Sequence, residues 1–100
     1  MTNQDLIIAT AIENQLYTKE QIEEIIKEKG ELSLHTLVGW QKRSPANFEY
    51  RIKKGEHGIP TKLWKKRPKK DDEDEETYYL VKSYLFKENQ VELVRVDENM

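Results

Sequence analysis

Between Tyr50 and Trp64 the chain reads YRIKKGEHGIPTKLW, two alternating segments joined by a glycine-containing link. Alternation at period two demands an extended backbone, because successive side chains of a strand point to opposite faces. Tyr50 and Ile52 fall on one face, with Arg51 and Lys53 on the other. Past the link, Ile59, Thr61 and Leu63 share one face while Lys62 and Trp64 share the other. Lys54-Gly55-Glu56-His57-Gly58 supplies a reversal, since glycine tolerates the positive φ of a tight turn. Pro60 has no amide to donate and belongs at a strand start or on an edge. The pattern predicts a basic β-hairpin turning at Gly55–Gly58, packed beneath helices through Ile52, Ile59 and Leu63.

The helices come from the first forty residues. Thr2-x-x-Asp5 closes a helix start, followed by an apolar stripe of Ile8, Ala11, Ile12 and Leu16. Tyr17-Thr18 interrupts that pattern. Thr18-x-x-Gln21 is a capping box for a second helix carrying Ile22, Ile25 and Ile26, and Gly30 stops it. Ser33 is expected to cap a third helix with Leu34, Leu37, Val38 and Trp40, ending near Arg43 because Pro45 disfavours helix at Ser44. Thr77–Phe86 is the strongest strand signal: Tyr78, Leu80, Tyr84 and Phe86 alternate with Tyr79, Val81 and Leu85. Lys87–Val91 reads as a turn or a single helical turn. Val91, Leu93, Val94 and Val96 extend it or add a short strand, and periodicity leaves both open. The fold expected is a single α+β domain over residues 1–96. Its helical part is 1–43, and its antiparallel sheet, about three strands from Phe48–Lys53, Ile59–Lys65 and Thr77–Phe86, lies within 48–96.

Charge is distributed unevenly. The net charge of −2 conceals −4 over residues 1–39, +9 over 40–70 and −7 over 71–100. Lys65–Glu76, KKRPKKDDEDEE, has no apolar member and is expected to be a solvated, disordered loop, too polar to offset its ordering entropy by burial. Its acidic half, Asp71–Glu76, either lies across the basic surface as an internal competitor, mimics DNA towards an enzyme, or simply keeps the chain soluble. Cysteine is absent, which removes disulfides and thiolate chemistry. No apolar run approaches the ~20 residues of a membrane span, and the start lacks a signal peptide's basic and apolar regions. A cytoplasmic protein, with no membrane and no small-molecule substrate, is the expectation.

Catalytic equipment is not evident. His35 and His57 stand alone, without the ligand spacing of a metal site, and no HExxH, GxSxG or phosphate-binding glycine loop occurs. The carboxylates of 71–76 lack the buried surroundings that acid–base work requires. A non-enzyme with neither cofactor nor metal is expected. The cationic middle suggests a surface that tracks phosphates, formed by Lys42, Arg43, Arg51, Lys53, Lys54 and Lys62, although edge lysines that merely prevent aggregation give the same composition. Unpaired bases stack on aromatic rings, and Trp64, which shares its face with Lys62, is the candidate platform. Trp40, Phe48 and Tyr50 are assigned to the core.

The succession of Gly39-Trp40, an aromatic, KKGEHGIP, a closing Trp64, a strand near Tyr79–Phe86 and LF-x-x-x-Q-V at Leu85–Val91 resembles the N-terminal single-stranded-DNA-binding domain of ArdC-like antirestriction proteins. The likeness runs from Ser33 to Val91. Arg43–Phe48 is longer than the glycine-containing link of that pattern, and the metal-dependent peptidase domain of longer relatives has no counterpart here. The resemblance implies binding of single-stranded DNA in the service of a phage, plasmid or transposon. From a different class, the acidic segments suggest an inhibitor that acts on a restriction or replication enzyme as a protein partner.

Overall fold

The computed structural model describes residues 1–67 and 77–96. Helix α1 (Asn3–Glu13) and helix α2 (Lys19–Lys29) each begin with a reciprocal cap. The Thr2 hydroxyl accepts the Asp5 amide at 3.2 Å while the Asp5 carboxylate accepts the Thr2 amide at 2.9 Å. Thr18 and Gln21 repeat the arrangement at 3.1 and 2.9 Å. Two orphan donors are satisfied at each start, which is why the alternation of polar and apolar residues resolves into helix there. Gly30 ends α2 in the left-handed region, φ 79°. On α1 the stripe is displaced by a fraction of a turn. Ile12 points outward, and Thr10 is buried in its place, its hydroxyl shared between the Leu6 carbonyl and the Thr61 hydroxyl.

The third helix is shorter than expected and starts later. Leu34–His35 is a two-residue strand, β1, and α3 spans Leu37–Gln41 with Thr36 rather than Ser33 as its cap. Burial decides the difference: Leu34 is fully enclosed, and an extended backbone at 34–35 lets it pair with the sheet while filling the core.

Strands β2 (Phe48–Ile52), β3 (Ile59–Lys66), β4 (Tyr78–Lys87) and β5 (Val91–Arg95) complete the α+β fold, with a 3-10 turn at Glu88–Gln90 between the last two. They form two antiparallel sheets, one ordered β1-β4-β3 and the other β2-β5. The expected hairpin is therefore corrected. Both strands exist, but β2 and β3 do not pair. β3 runs against β4 through eight residue pairs, from Ile59 opposite Leu85 to Lys66 opposite Tyr78. β2 runs against β5, from Phe48 opposite Arg95 to Ile52 opposite Val91. Lys65 and Lys66 lie in β3 rather than in a loop, and the Arg67 amide donates to the Thr77 carbonyl at 2.9 Å. The rest of the expected loop, 68–76 with its acidic run, lies outside the described residues.

Two cores explain the split. α1, α2, β1 and the inner face of β3–β4 enclose Ala11, Ile22, Leu32, Leu34 and Leu85, with Ile59 and Leu63 packed against them. Trp40, Phe86 and Val91 form the second, with Tyr50 and Ile52 from β2. β4 is the partition. Its consecutive residues Leu85 and Phe86 point to opposite faces, one into each core, which accounts for apolar residues on both faces of that strand. Each fully enclosed leucine contributes about 1.5–3 kcal/mol. A single hairpin would have committed Ile52 and Ile59 to one layer, whereas the two cores require them in different layers. The Trp40 indole N–H donates to the Phe86 carbonyl at 2.9 Å and pins α3 to the end of β4.

The link 53–58 runs between the two sheets. The Lys53 amide donates to the Gln90 carbonyl, and the Glu56 amide closes a turn onto the Lys53 carbonyl. Gly55 takes φ 84°, which L side chains rarely adopt. Gly58 is needed for a different reason, close approach: a Cβ there would lie 2.6 Å from the Tyr84 Cβ and 2.9 Å from the Phe86 ring. Gln90 secures the link, its side-chain N–H donating to the His57 carbonyl at 3.0 Å while its oxygen accepts the Lys87 amide.

Candidate nucleic-acid interface

Along β3, Ile59, Thr61 and Leu63 are half-buried, whereas Pro60, Lys62, Trp64 and Lys66 are exposed. On β4, Tyr78, Leu80, Lys82 and Tyr84 are exposed in the same way. Register brings the two exposed sets together as cross-strand pairs: Lys66 with Tyr78, Trp64 with Leu80, Lys62 with Lys82, and Pro60 with Tyr84. The outcome is one outward face of aromatic, aliphatic and cationic side chains on which none of these positions carries an acid. Trp64, Tyr78, Leu80 and Tyr84 expose 39–55% of their surface. Large apolar groups at such exposure, side by side, are the feature that sets a recognition surface apart from scattered exposed residues.

Near the centre of this face two lysines, Lys62 and Lys82, are directly opposed across the ladder. A directly opposed like-charge pair destabilises a sheet, so the Lys62–Lys82 pair is a cost to the fold. Lys82 leans over the Tyr84 ring, its Nζ 5.7 Å from the ring centre, which relieves part of that repulsion. Trp64 is held from its backbone: its amide donates to the Asn3 side-chain oxygen at 2.7 Å, and the Asn3 side-chain N–H donates back to its carbonyl at 3.2 Å. The Asn3 amide thus acts as one residue of a neighbouring strand and protects an edge that another chain would otherwise pair with.

The cations named from sequence do not form one cluster. Lys62 and Trp64 lie on the face just described. Lys42 caps the C-terminus of α3 and lines a groove beside it. Lys53 and Lys54 are exposed in the link. Arg51 sits on the second sheet, where its Nε meets Glu49 at 3.2 Å and its cross-strand neighbour is Glu92. Arg43 is committed to structure. Its guanidinium grips both oxygens of Glu31 at 2.8 and 3.0 Å and donates to the Gly39 carbonyl at 2.7 Å. These hydrogen bonds from Arg43 hold the Glu31 carboxyl below the usual range. His35, buried against Trp40 at a ring separation of 4.9 Å, also meets Glu31 at 2.8 Å. Burial pushes its pKa down, and the Arg43 charge adds to that. Glu31, His35 and Arg43 together fasten α3 in place.

Of the aromatics assigned to the core, Trp40 is buried and Tyr50 packs on it at 5.1 Å, whereas Phe48 is corrected to an exposed position, because β2 leaves the second core at that end. Sequence reasoning missed Tyr78, Leu80, Lys82 and Tyr84, because apolar residues on both sides of the alternation left no face of that strand marked as the outward one. A signal was present: Lys82 interrupts the even-numbered stripe, and a lysine cannot sit unpaired in a core.

Among the described residues, no helix is long and apolar enough to cross a membrane, and no group of three His, Cys, Asp or Glu could hold a metal ion. Compared with protein-family models, with curated proteins and with solved structures, the chain finds no match.

Proposed function

We propose that this protein binds single-stranded nucleic acid through the outward face of β3 and β4, without catalysing a reaction on it. The observation that carries the reading is the opposed pair Lys62–Lys82, set between Trp64 with Leu80 on one side and Tyr84 on the other. Two cations opposed across a strand ladder are stabilised by an anion placed near both, and the flanking rings offer flat apolar surface. Phosphate contacts of this kind are independent of sequence. Stacking on Trp64 and Tyr84 requires unpaired bases, which a duplex does not present. Lys42 and Lys65, which line the groove shared with Trp64 and Tyr84, extend the positive surface on one side of this face. DNA as the preferred strand, and service to a mobile element against restriction, rest on the ArdC-like resemblance.

Fluorescence anisotropy with labelled single- and double-stranded oligonucleotides at two salt concentrations tests the reading. Tight binding of single strands that weakens steeply with salt is the expected result. Replacing Lys62 and Lys82 together with alanine should flatten the salt dependence by about 1.4 in log–log slope, roughly 0.7 for each phosphate contact on a single strand. Trp64→Ala should cost about 1–3 kcal/mol on single strands and far less on duplex. No binding at low salt would overturn the proposal in favour of an inhibitor acting on a protein partner.

A further inference from the structure

Beside the outward face lies an open groove of about 630 Å3 between α3 and strands β3 and β4. Its volume falls within the roughly 300–1,000 Å3 of sites that hold small molecules. Leu37, Val38 and Phe86 supply apolar wall, and Trp64 and Tyr84 belong to both the groove and the outward face. Among the described residues that line it, the charged side chains are the cations Lys42 and Lys65, and none is a carboxylate. Val38 exposes 60% of its surface here, an apolar side chain that the fold itself does not use.

The wall is fixed before anything binds. The Thr36 hydroxyl caps α3 by accepting the Gly39 amide at 3.0 Å, Trp40 ties it to Phe86, and Arg43 closes its far end onto Gly39 and Glu31. Such a wall loses little conformational freedom on binding, and preorganisation of this kind raises affinity.

We infer that this groove takes one unpaired base of the strand held on the outward face, with Lys42 receiving its phosphate. The inference rests on the proposed function above. Charge complementarity selects the occupant: a nucleotide joins a flat, largely apolar ring to an anion, matching apolar walls edged by lysine. Continuity through Trp64 and Tyr84 selects its source, since a strand crossing the Lys62–Lys82 pair reaches the groove without leaving the protein. A paired base in a duplex cannot turn into it. The groove therefore adds discrimination in favour of single strands to the affinity that the outward face provides.

Val38→Glu tests the inference, because the site is exposed enough for the change to leave folding intact. Binding of labelled oligothymidylate would be measured beside that of the same strand carrying abasic sugars, which keeps the phosphates and removes the bases. Val38→Glu should weaken oligothymidylate binding about tenfold, the weight of one stacked base, and affect the abasic strand much less. Ile12→Glu, on an exposed position of α1, adds the same charge away from the groove and should stay within about twofold of the parent. Val38→Ser repeats the test without added charge and should show a smaller loss in the same direction. Parent-like oligothymidylate binding by both Val38 variants, with binding still lost in the Lys62 and Lys82 double variant, would overturn the groove and leave the outward face standing. Failure of the parent protein to bind any strand would overturn both.

Discussion

Lys82→Glu should make the protein more stable and a worse ligand for nucleic acid at once. Lys82 faces Lys62 across the β3–β4 ladder, and opposed like charges cost about 0.2–1 kcal/mol, of which a midpoint near 0.5 is reasonable for exposed ammonium groups in water. Glutamate replaces that repulsion with an attraction of similar size, a gain of about 1 kcal/mol. The lost contact between Lys82 and the Tyr84 ring, exposed and 5.7 Å long, offsets roughly 0.5 kcal/mol of it. The net is about +0.5 kcal/mol, or an increase in Tm of about 2–4 °C for a domain of this size. Binding moves the other way. One cation disappears and the new carboxylate neutralises its partner, so two phosphate contacts are lost and the single-strand salt slope falls by about 1.4. Thermal unfolding by circular dichroism and anisotropy titration on the same preparation read both effects. A variant that melts lower than the parent would refute the opposed-charge argument. One that melts higher but binds with an unchanged salt slope would show that the pair is not where phosphates bind.

Other parts of the structure carry their own expectations. Gly58→Ala brings a methyl group to 2.6 Å from the Tyr84 Cβ, a rigid neighbour, and should cost about 1–3 kcal/mol, visible as a lower urea midpoint. Trp40→Phe keeps an aromatic ring but removes the donor to the Phe86 carbonyl, and a loss of about 1–3 kcal/mol should appear in the same assay. Acid should destabilise the protein in two windows. His35 has a folded pKa below its ordinary 6.5, so as pH falls through 6.5 the unfolded chain takes a proton that the fold refuses; stability drops until the folded value is passed. The Glu31 carboxyl, held below its ordinary 4.5, contributes stability above that value that is lost as pH falls through its folded pKa, a contribution softened by solvent because its side chain is 42% exposed. His35→Gln should remove the upper window and keep the lower one, as Tm measured against pH would show.

The local signals were legible because each depends on residues a few positions apart. Thr2 with Asp5, Thr18 with Gln21 and the αL glycine at position 30 are caps whose chemistry is complete within a turn, and the strands around Tyr50, Leu63 and Leu80 follow from alternation alone. The third helix was misplaced at its start because Ser33 and Thr36 are equivalent as caps on local grounds. Only the demand that Leu34 be buried beside Leu85 separates them, and Leu85 is far away in sequence.

Strand pairing is the property that local pattern cannot carry, and the site depended on it. Alternation fixes which residues of β3 share a face, and it set Lys62 and Trp64 apart from Ile59 and Leu63 correctly. It does not say which strand lies alongside. Short connections favour neighbours in sequence, which argued for β2 beside β3. Two facts outweigh that preference. Ile52 finds Val91, Phe86 and Trp40 in a separate core, and β4 offers β3 eight residue pairs on a strand with apolar residues on both faces. Once β4 is the partner, Lys62 faces Lys82 instead of Arg51 or Lys53, and Trp64 acquires Leu80 and Tyr78 as neighbours. A surface expected as cations with the single ring of Trp64 on one hairpin becomes a face on which Tyr78, Leu80, Lys82 and Tyr84 of β4 join Lys62 and Trp64. The change bears on mechanism: a row of cations attracts any polyanion, whereas rings alternating with lysines reward a strand whose bases are free to stack.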